Sequence, residues 1–271
     1  MKIELQAAKD LALRAGAILL KHYAEGFSVE WKGKNDPVTD ADRASSRVLV
    51  EELHKRFPND AILSEEEKDD SMRLSSRRVW IIDPMDGTKE FVARRGEFAV
   101  MIGLAVKGEP RLGVVYQPTQ DKLYYAAAGD GAYLTFSGVT LQLQVSSEHD
   151  PSHATMALSR SHLSGTTEAI RQELGIEKTT QTGSLGVKVG LICEAQADVY
   201  VQGRGTSVWD TCGPEAILRE AGGTMTDWLG NPLRYDVAEV RNLNGVIATN
   251  GLLHDSVLKT VREVTRRTSK E

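Results

Sequence analysis

The sequence is short of cysteine, carries no basic excess and contains no long apolar run. Cys193 and Cys212 are its only two thiols in 271 residues. Each sits in an apolar stretch that reads as helix, and two isolated cysteines make no disulfide framework. They read as reduced core residues of a cytoplasmic protein. Lys plus Arg number 33 against 38 Asp plus Glu, a net charge of −5. No bulk field therefore draws the chain to nucleic acid. An anionic ligand has to be held locally, by a metal, a helix N-terminus or a few placed cations. No apolar run approaches the roughly 20 residues of a membrane span. Met1 to Leu5 leads into an amphipathic pattern with an early acid rather than the apolar core of a signal peptide. A cytoplasmic location is expected, with neither membrane nor nucleic-acid polymer as partner. The basic stretch 261–271 reads as a solvated helix end. Also missing are a G-x-S-x-G elbow, a supported Ser-His-Asp arrangement and any internal repeat. His22, His54, His149, His153 and His254 show no ligand spacing.

What is present is a chain of one large or two small domains, with 41% apolar and 26% charged residues, ordinary for a globular protein. Helical spacing covers 4–24, with Gly26 as a stop, and 39–57. Lys32 to Pro37 reads as a polar loop between them. Short strands are expected at 61–63 and 78–82. Three more, at 98–106, 112–116 and 122–127, are separated by hairpin signals at Lys107-Gly108-Glu109-Pro110 and Pro118-Thr119-Gln120-Asp121. The second half alternates: strands at 154–158, 178–181, 197–201 and 245–248, helices at 166–174, 185–195 and 210–221, and a last helix from near Leu252. The expected class is α/β (α+β), in two subdomains with a cleft between them. Residues 1–150 would form an α+β unit and 151–271 an α/β unit.

The chemistry begins at Asp83-Pro84-Met85-Asp86-Gly87-Thr88. A buried strand delivers Asp83 at its C-terminal end, Pro84 breaks the strand, and Asp86 returns to the same neighbourhood. Gly87 permits a tight approach, and Thr88 opens a short helix whose free N–H groups suit an anion. Hard oxygen ligands beside an anion-binding turn suit Mg²⁺ and phosphate. The same residues could form a mere surface turn, since Asp, Pro and Gly are all turn formers. Two further acids weigh against that: Glu65 follows another short strand, and Asp210 opens a helix after Trp209. If they converge, each like-charge pair at about 4 Å costs on the order of 4 kcal/mol at an effective dielectric near 20, untenable without cations. A third segment, Asp36-Pro37-Val38-Thr39-Asp40-Ala41-Asp42, holds three acids in seven residues. Thr39 or Asp40 could cap the helix that follows, and Asp36 is free to point elsewhere, for instance at a catalytic water.

Taken in order and spacing, Asp36 to Asp42, Glu65-Glu66, Asp83 to Thr88 and Trp209-Asp210 resemble the inositol-monophosphatase-like, lithium-sensitive metal-dependent phosphatases over essentially the whole chain. The resemblance implies a layered α-β-α-β-α sugar-phosphatase fold, antiparallel in the first sheet and mixed in the second. It implies two or three Mg²⁺ held by Glu65, Asp83, the Met85 carbonyl, Asp86 and Asp210. Asp36 and Thr88 would orient and help deprotonate water, and the N–H groups of Gly87 and Thr88 would bind phosphate.

Within the family, Thr88-Lys89-Glu90-Phe91 with Gly96-Glu97-Phe98, and Ser159-Arg160-Ser161-His162, resemble the 3′(2′),5′-bisphosphate nucleotidase branch. That likeness implies substrate contacts from Ser159, His162, Ser184 and Lys188, with Lys188 on a second phosphate. The chain departs from the branch in the spacing of Gly183-Ser184 from Lys188, and in having Gln202 and Arg204 where an arginine just precedes Trp-Asp. The expected ligand is a small phosphorylated molecule bound by a monomer or homodimer. A phosphatase of inositol, sugar or histidinol phosphates, or a non-catalytic phosphate-binding protein, are the competing readings.

Overall fold

The computed structural model describes residues 1–33, 36–161, 164–203 and 205–268. The chain opens with α1 (Lys2–Glu25), a hairpin of β1 (Val29–Gly33) and β2 (Asp36–Thr39), and α2 (Asp40–Arg56). Then follow β3 (Ala61–Ser64), β4 (Arg78–Asp86), the short α3 (Thr88–Val92), β5 (Ala99–Val106), β6 (Glu109–Gln117), β7 (Lys122–Ala127), β8 (Ala132–Phe136) and β9 (Val139–Gln142). The remainder is β10 (Thr155–Ser159), α4 (Gly165–Glu173), β11 (Lys178–Thr182), α5 (Leu185–Cys193), β12 (Val199–Gln202), α6 (Val208–Glu220), β13 (Thr224–Thr226), β14 (Val246–Thr249) and α7 (His254–Thr268).

The strands β3 to β9 form one sheet in sequence order, antiparallel except for the parallel pair β3–β4. A second sheet has the order β11-β10-β12-β14-β13 and mixes parallel with antiparallel pairs. Five layers follow from which faces are buried. Ala8, Leu11, Ala15 and Leu19 of α1 and Leu49 and Leu53 of α2 pack on one face of the first sheet, against Trp80, Ile82, Val100 and Val114. The opposite face, through Ile81, Met101, Val115 and Tyr124, meets Leu185 and Val189 of α5 and Cys212 and Ile217 of α6. The same core includes Ala157, Tyr200 and Ala248 of the second sheet. That sheet's outer face, Met156, Val199 and Ile247, is covered by Ile170 of α4 and by Val257 and Val261 of α7. Sandwiching explains why β4 and β5 are nearly continuous apolar runs: both faces are covered. The layered α-β-α-β-α order is therefore the observed one.

Three local expectations change. The stretch Lys32 to Pro37 is not simply a loop, because Trp31 pairs with Pro37 and Gly33 with Asp36. Pro84 does not end its strand, since β4 continues to Asp86. Strands β8, β9 and β13 were not anticipated; β9 is exposed at every position and β13 is three residues long, so neither carries an apolar signal.

Candidate metal and phosphate site

Asp83 and Asp86 are three residues apart, an odd spacing that in a regular strand sends side chains to opposite faces. Here Asp83 is opposite Met101 and Asp86 opposite Ala99. Three steps along β4 thus match two along β5, a bulge that brings both carboxylates to one side. Pro84 suits the bulge because it has no N–H to leave unpaired, and its carbonyl accepts the Ser45 hydroxyl at 2.9 Å. Asp83 Oδ1 accepts the Met85 N–H at 2.9 Å. Gly87 follows with φ 97°, left-handed backbone that glycine adopts without a Cβ penalty. A Cβ there would also lie 2.7 Å from the Glu97 carbonyl oxygen.

The third carboxylate comes from the second half. Ser207 and Asp210 form a capping box at the start of α6, with Asp210 Oδ2 accepting the Ser207 N–H at 2.5 Å. Ligand atoms of Asp83, Asp86 and Asp210 lie within 4.8 Å of one another. Asp86 is also tied to α5: its Oδ2 accepts the Ser184 hydroxyl at 2.5 Å and the Gly186 N–H at 3.0 Å. Burial is the main force raising all three pKa values, and neighbouring carboxylates add to it. Asp210 is pushed up to about 7 and shares a hydrogen bond with Asp83. Glu65 lines the same cavity and is pushed up to about 8 by burial and then by Asp210. It lies outside the tight trio, and Lys32 reaches it at 3.7 Å while bonding Glu66 at 2.6 Å.

This donor set fits a hard divalent cation. It is made only of oxygen, with Asp83 buried and Asp86 and Asp210 half-buried, and desolvation favours the neutral form of each until a cation compensates the charge. A desolvated carboxylate cluster of this kind costs several kcal/mol per uncompensated charge. Oxygen-only ligands suit Mg²⁺ better than zinc, which takes imidazole and thiolate.

Beside the trio, Thr88 Oγ1 donates to Asp42 Oδ1 at 3.0 Å and lies 3.2 Å from the Met85 carbonyl. Asp42 is 2% exposed. Its Oδ2 accepts the Thr39 N–H at 2.7 Å and the Thr39 hydroxyl at 2.5 Å, closing the capping box of α2. Burial lifts its pKa to about 6, against the pull of the Thr39 and Thr88 hydrogen bonds. Asp36, the acid expected beside Thr88, is exposed on β2 and lines the cavity. Sequence reading counted Asp42 among three acids without singling it out, although a Thr-x-x-Asp spacing before a helix is a capping-box signature.

The cavity holds about 230 Å³. Asp83, Met85, Asp86, Gly87, Thr88 and Asp210 line it, as do Ser159, Ser161, Lys188, Tyr200, Gln202 and Thr206. Lys188 is 1% exposed, not a solvated helix lysine. Its Nζ donates to the carbonyls of Thr182 (3.3 Å) and Gly183 and sits 5.4 Å from the centre of the Tyr200 ring. Burial lowers its pKa to about 8, against the attraction of Asp86, Glu90, Glu97 and Asp210. Ser184 is fully buried, outside the cavity lining, with its hydroxyl given to Asp86. His162 and Arg204 lie outside the described residues. No helix among the described residues is long and apolar enough to cross a membrane.

Residues 3–266 match the inositol monophosphatase family. The 3′(2′),5′-bisphosphate nucleotidase CysQ of Salmonella typhimurium is 40% identical over 87% of this chain and 95% of its own. A fructose-1,6-bisphosphatase/inositol-1-monophosphatase of Thermotoga maritima is 33% identical over 94% of both chains. The crystal structure of CysQ from Bacteroides thetaiotaomicron superposes with a TM-score of 0.79 at 34% identity, covering 92% of this chain and 97% of that one. With the five-layer fold and the acidic trio already established, these likenesses leave one conclusion: the chain belongs to the inositol monophosphatase family, and it is a phosphatase.

Proposed function

We propose that the chain is a Mg²⁺-dependent phosphomonoesterase that hydrolyses 3′(2′),5′-bisphosphate nucleotides, converting adenosine 3′,5′-bisphosphate to AMP and phosphate. The observation that carries the substrate is Lys188, a buried cation in the same cavity as the acidic trio. Among the described residues its ammonium donates to backbone carbonyls and to no carboxylate, and such a cation on a cavity rich in acids is what a second phosphate needs. The name borne by the Salmonella relative points the same way.

Asp83, Asp86 and Asp210, with Glu65 and the Met85 carbonyl, would hold the ions. When bound, divalent cations lower the pKa of water and stabilise the attacking and leaving oxygens. The chain's own part is positional. Asp42 takes the hydroxyl proton of Thr88 as a hydrogen bond, which leaves a Thr88 lone pair to accept from the attacking water. The water's proton can then pass through Thr88 to Asp42 as the new P–O bond forms and the ester P–O bond breaks, the departing ribose oxygen taking a proton from solvent to leave as the alcohol. The N–H groups of Gly87 and Thr88 would face the phosphate oxygens. Ser159 and His162 would contact the nucleoside, Ser184 would act through Asp86, and Asp36 would stand at the rim.

The Thermotoga relative supports a second reading, an inositol or sugar phosphate as substrate, of which inositol 1-phosphate needs no grip on a second phosphate and fructose 1,6-bisphosphate does. Phosphate release from adenosine 3′,5′-bisphosphate, inositol 1-phosphate and fructose 1,6-bisphosphate with Mg²⁺ separates the two. A higher kcat/KM for inositol 1-phosphate overturns the nucleotidase reading.

A further inference from the structure

Two acids of the first half stitch the cavity's two halves together, and neither belongs to the acidic trio. Glu90, on α3, is 4% exposed and lines the cavity. Its Oε1 accepts the Ser161 hydroxyl, from the segment that follows β10. Glu97, in the turn before β5, takes Arg160 in a two-pronged ion pair: Oε1 from Nη2 at 2.6 Å and Oε2 from Nε at 2.7 Å. Arg160 Nη2 also donates to the Gln181 carbonyl at 2.9 Å, and its backbone N–H to the Thr182 carbonyl at 3.2 Å. The Glu97 carbonyl in turn accepts the Ser184 N–H at 3.2 Å. Gly183 lies in the seam: a Cβ there would fall 2.3 Å from Glu90 Cγ and 2.7 Å from the Glu97 carbonyl.

We infer that Glu90 and Glu97 are positioning residues that fix the Ser159–Ser161 segment over the cavity and so set how the part of the substrate beyond the scissile phosphate is held. The inference rests on the proposed reading that this cavity takes a substrate larger than phosphate. Charge-assisted hydrogen bonds are directional, and a bidentate arginine–carboxylate pair adds geometric restriction that an apolar contact does not. The pair spans the two sheets, since Glu97 precedes β5 of the first and Arg160 follows β10 of the second. It therefore sets the distance between Ser161 and the Asp83–Thr88 segment. Lys188 shares this neighbourhood, where both Glu90 and Glu97 act on its charge. Loosening the seam moves groups that touch the distal part of a substrate and leaves the scissile side in place. Such a change appears in KM and spares kcat.

The test compares wild type with Glu97→Gln, Arg160→Gln, Arg160→Glu and the charge swap Glu97→Arg/Arg160→Glu. For the best substrate of the wild type, Glu97→Gln and Arg160→Gln should each raise KM about tenfold, with kcat within about twofold. The inhibition constant of inorganic phosphate, which fills only the scissile side, should stay unchanged. The swap should recover most of the KM lost in Arg160→Glu, a rescue that general destabilisation does not give. Glu90→Gln, which keeps an acceptor for Ser161, should be milder than Glu90→Ala. Hydrogen exchange supplies a readout independent of turnover: Glu97→Gln should speed exchange in 159–161 and not in 100–104. Unchanged exchange there, or equal losses of kcat and of phosphate affinity, overturns the inference. If the wild type releases no phosphate from any substrate, the proposed function fails, and the exchange data still decide whether the seam exists.

Discussion

The Thr88 hydroxyl and the Asp42 carboxylate, 46 residues apart in sequence, meet at 3.0 Å beside the acidic trio. Asp42 spends one oxygen on its own helix cap and the other on Thr88. In the proposed mechanism one carboxylate serves both the helix cap and the chemistry, so substitutions at the two residues should differ in character.

Thr88→Val should cut kcat by about 10²- to 10⁴-fold while leaving Tm within a few degrees, because the hydroxyl serves chemistry. Asp42→Asn should cut kcat similarly and also lower Tm, because it disturbs the Thr39 cap, a loss of about 1 kcal/mol. Steady-state kinetics with thermal melts checks both. In the wild type, protonation of Asp42 near pH 6 should produce the acid limb of kcat. Below that pH the carboxyl no longer accepts a proton, so the rate falls as pH falls. Thr88→Val should flatten that limb.

The ion-free protein should lose stability as pH rises. Asp42, Glu65 and Asp210 have folded values of about 6, 8 and 7, all above their ordinary values of 3.8, 4.5 and 3.8. A raised folded pKa favours the fold below the unfolded value, and that contribution disappears as pH climbs through the folded one. The window is therefore about pH 4 to 8. Mg²⁺ compensates the charges, so saturating Mg²⁺ should raise Tm by about 5 °C at pH 8 and by much less at pH 5.5. Calorimetry at the two pH values measures this, and an equal shift at both would count against a carboxylate-held ion.

Lys188→Met should raise KM for adenosine 3′,5′-bisphosphate by about 10- to 100-fold with little change for a monophosphate substrate. Its folded value of about 8 lies below the usual lysine value. In the proposed reading the protonated form binds phosphate, so KM for the bisphosphate should climb above pH 8 in the wild type and not in the variant. A pH series of initial rates decides it.

Gly87→Ala should reduce both Tm and kcat. The site needs left-handed backbone, and the new methyl would meet the Glu97 carbonyl. Strain of this kind costs about 1–3 kcal/mol, and Thr88 would move with it. Normal kcat in a folded variant would show that Thr88 placement tolerates the shift.

Much of this architecture was legible in the residues themselves. The apolar runs of β4 and β5 and the stripes of α1 and α2 stood out because burial imposes them. Strand β9, exposed at every position, exists through its pairing with β8 and left no such trace. The Asp83 to Thr88 segment was recognisable, but the device joining its carboxylates was not. Sequence suggested a proline break; the register shift against Met101 and Ala99 is a relation between two strands. Asp42 was not singled out because three acids in seven residues look alike in sequence, and only the structure puts Thr39 on one of its oxygens and Thr88 on the other. Lys188 looks like any helix lysine until tertiary packing buries it.

The most direct test is phosphate release from adenosine 3′,5′-bisphosphate by the purified protein, first stripped by chelator and then titrated with Mg²⁺, alongside Asp83→Asn. The account predicts no release without the metal, saturable release with it, loss of about 10³-fold or more in the variant, and a kcat/KM above that for inositol 1-phosphate. Full activity in the chelated protein, or an unimpaired Asp83→Asn, would contradict it.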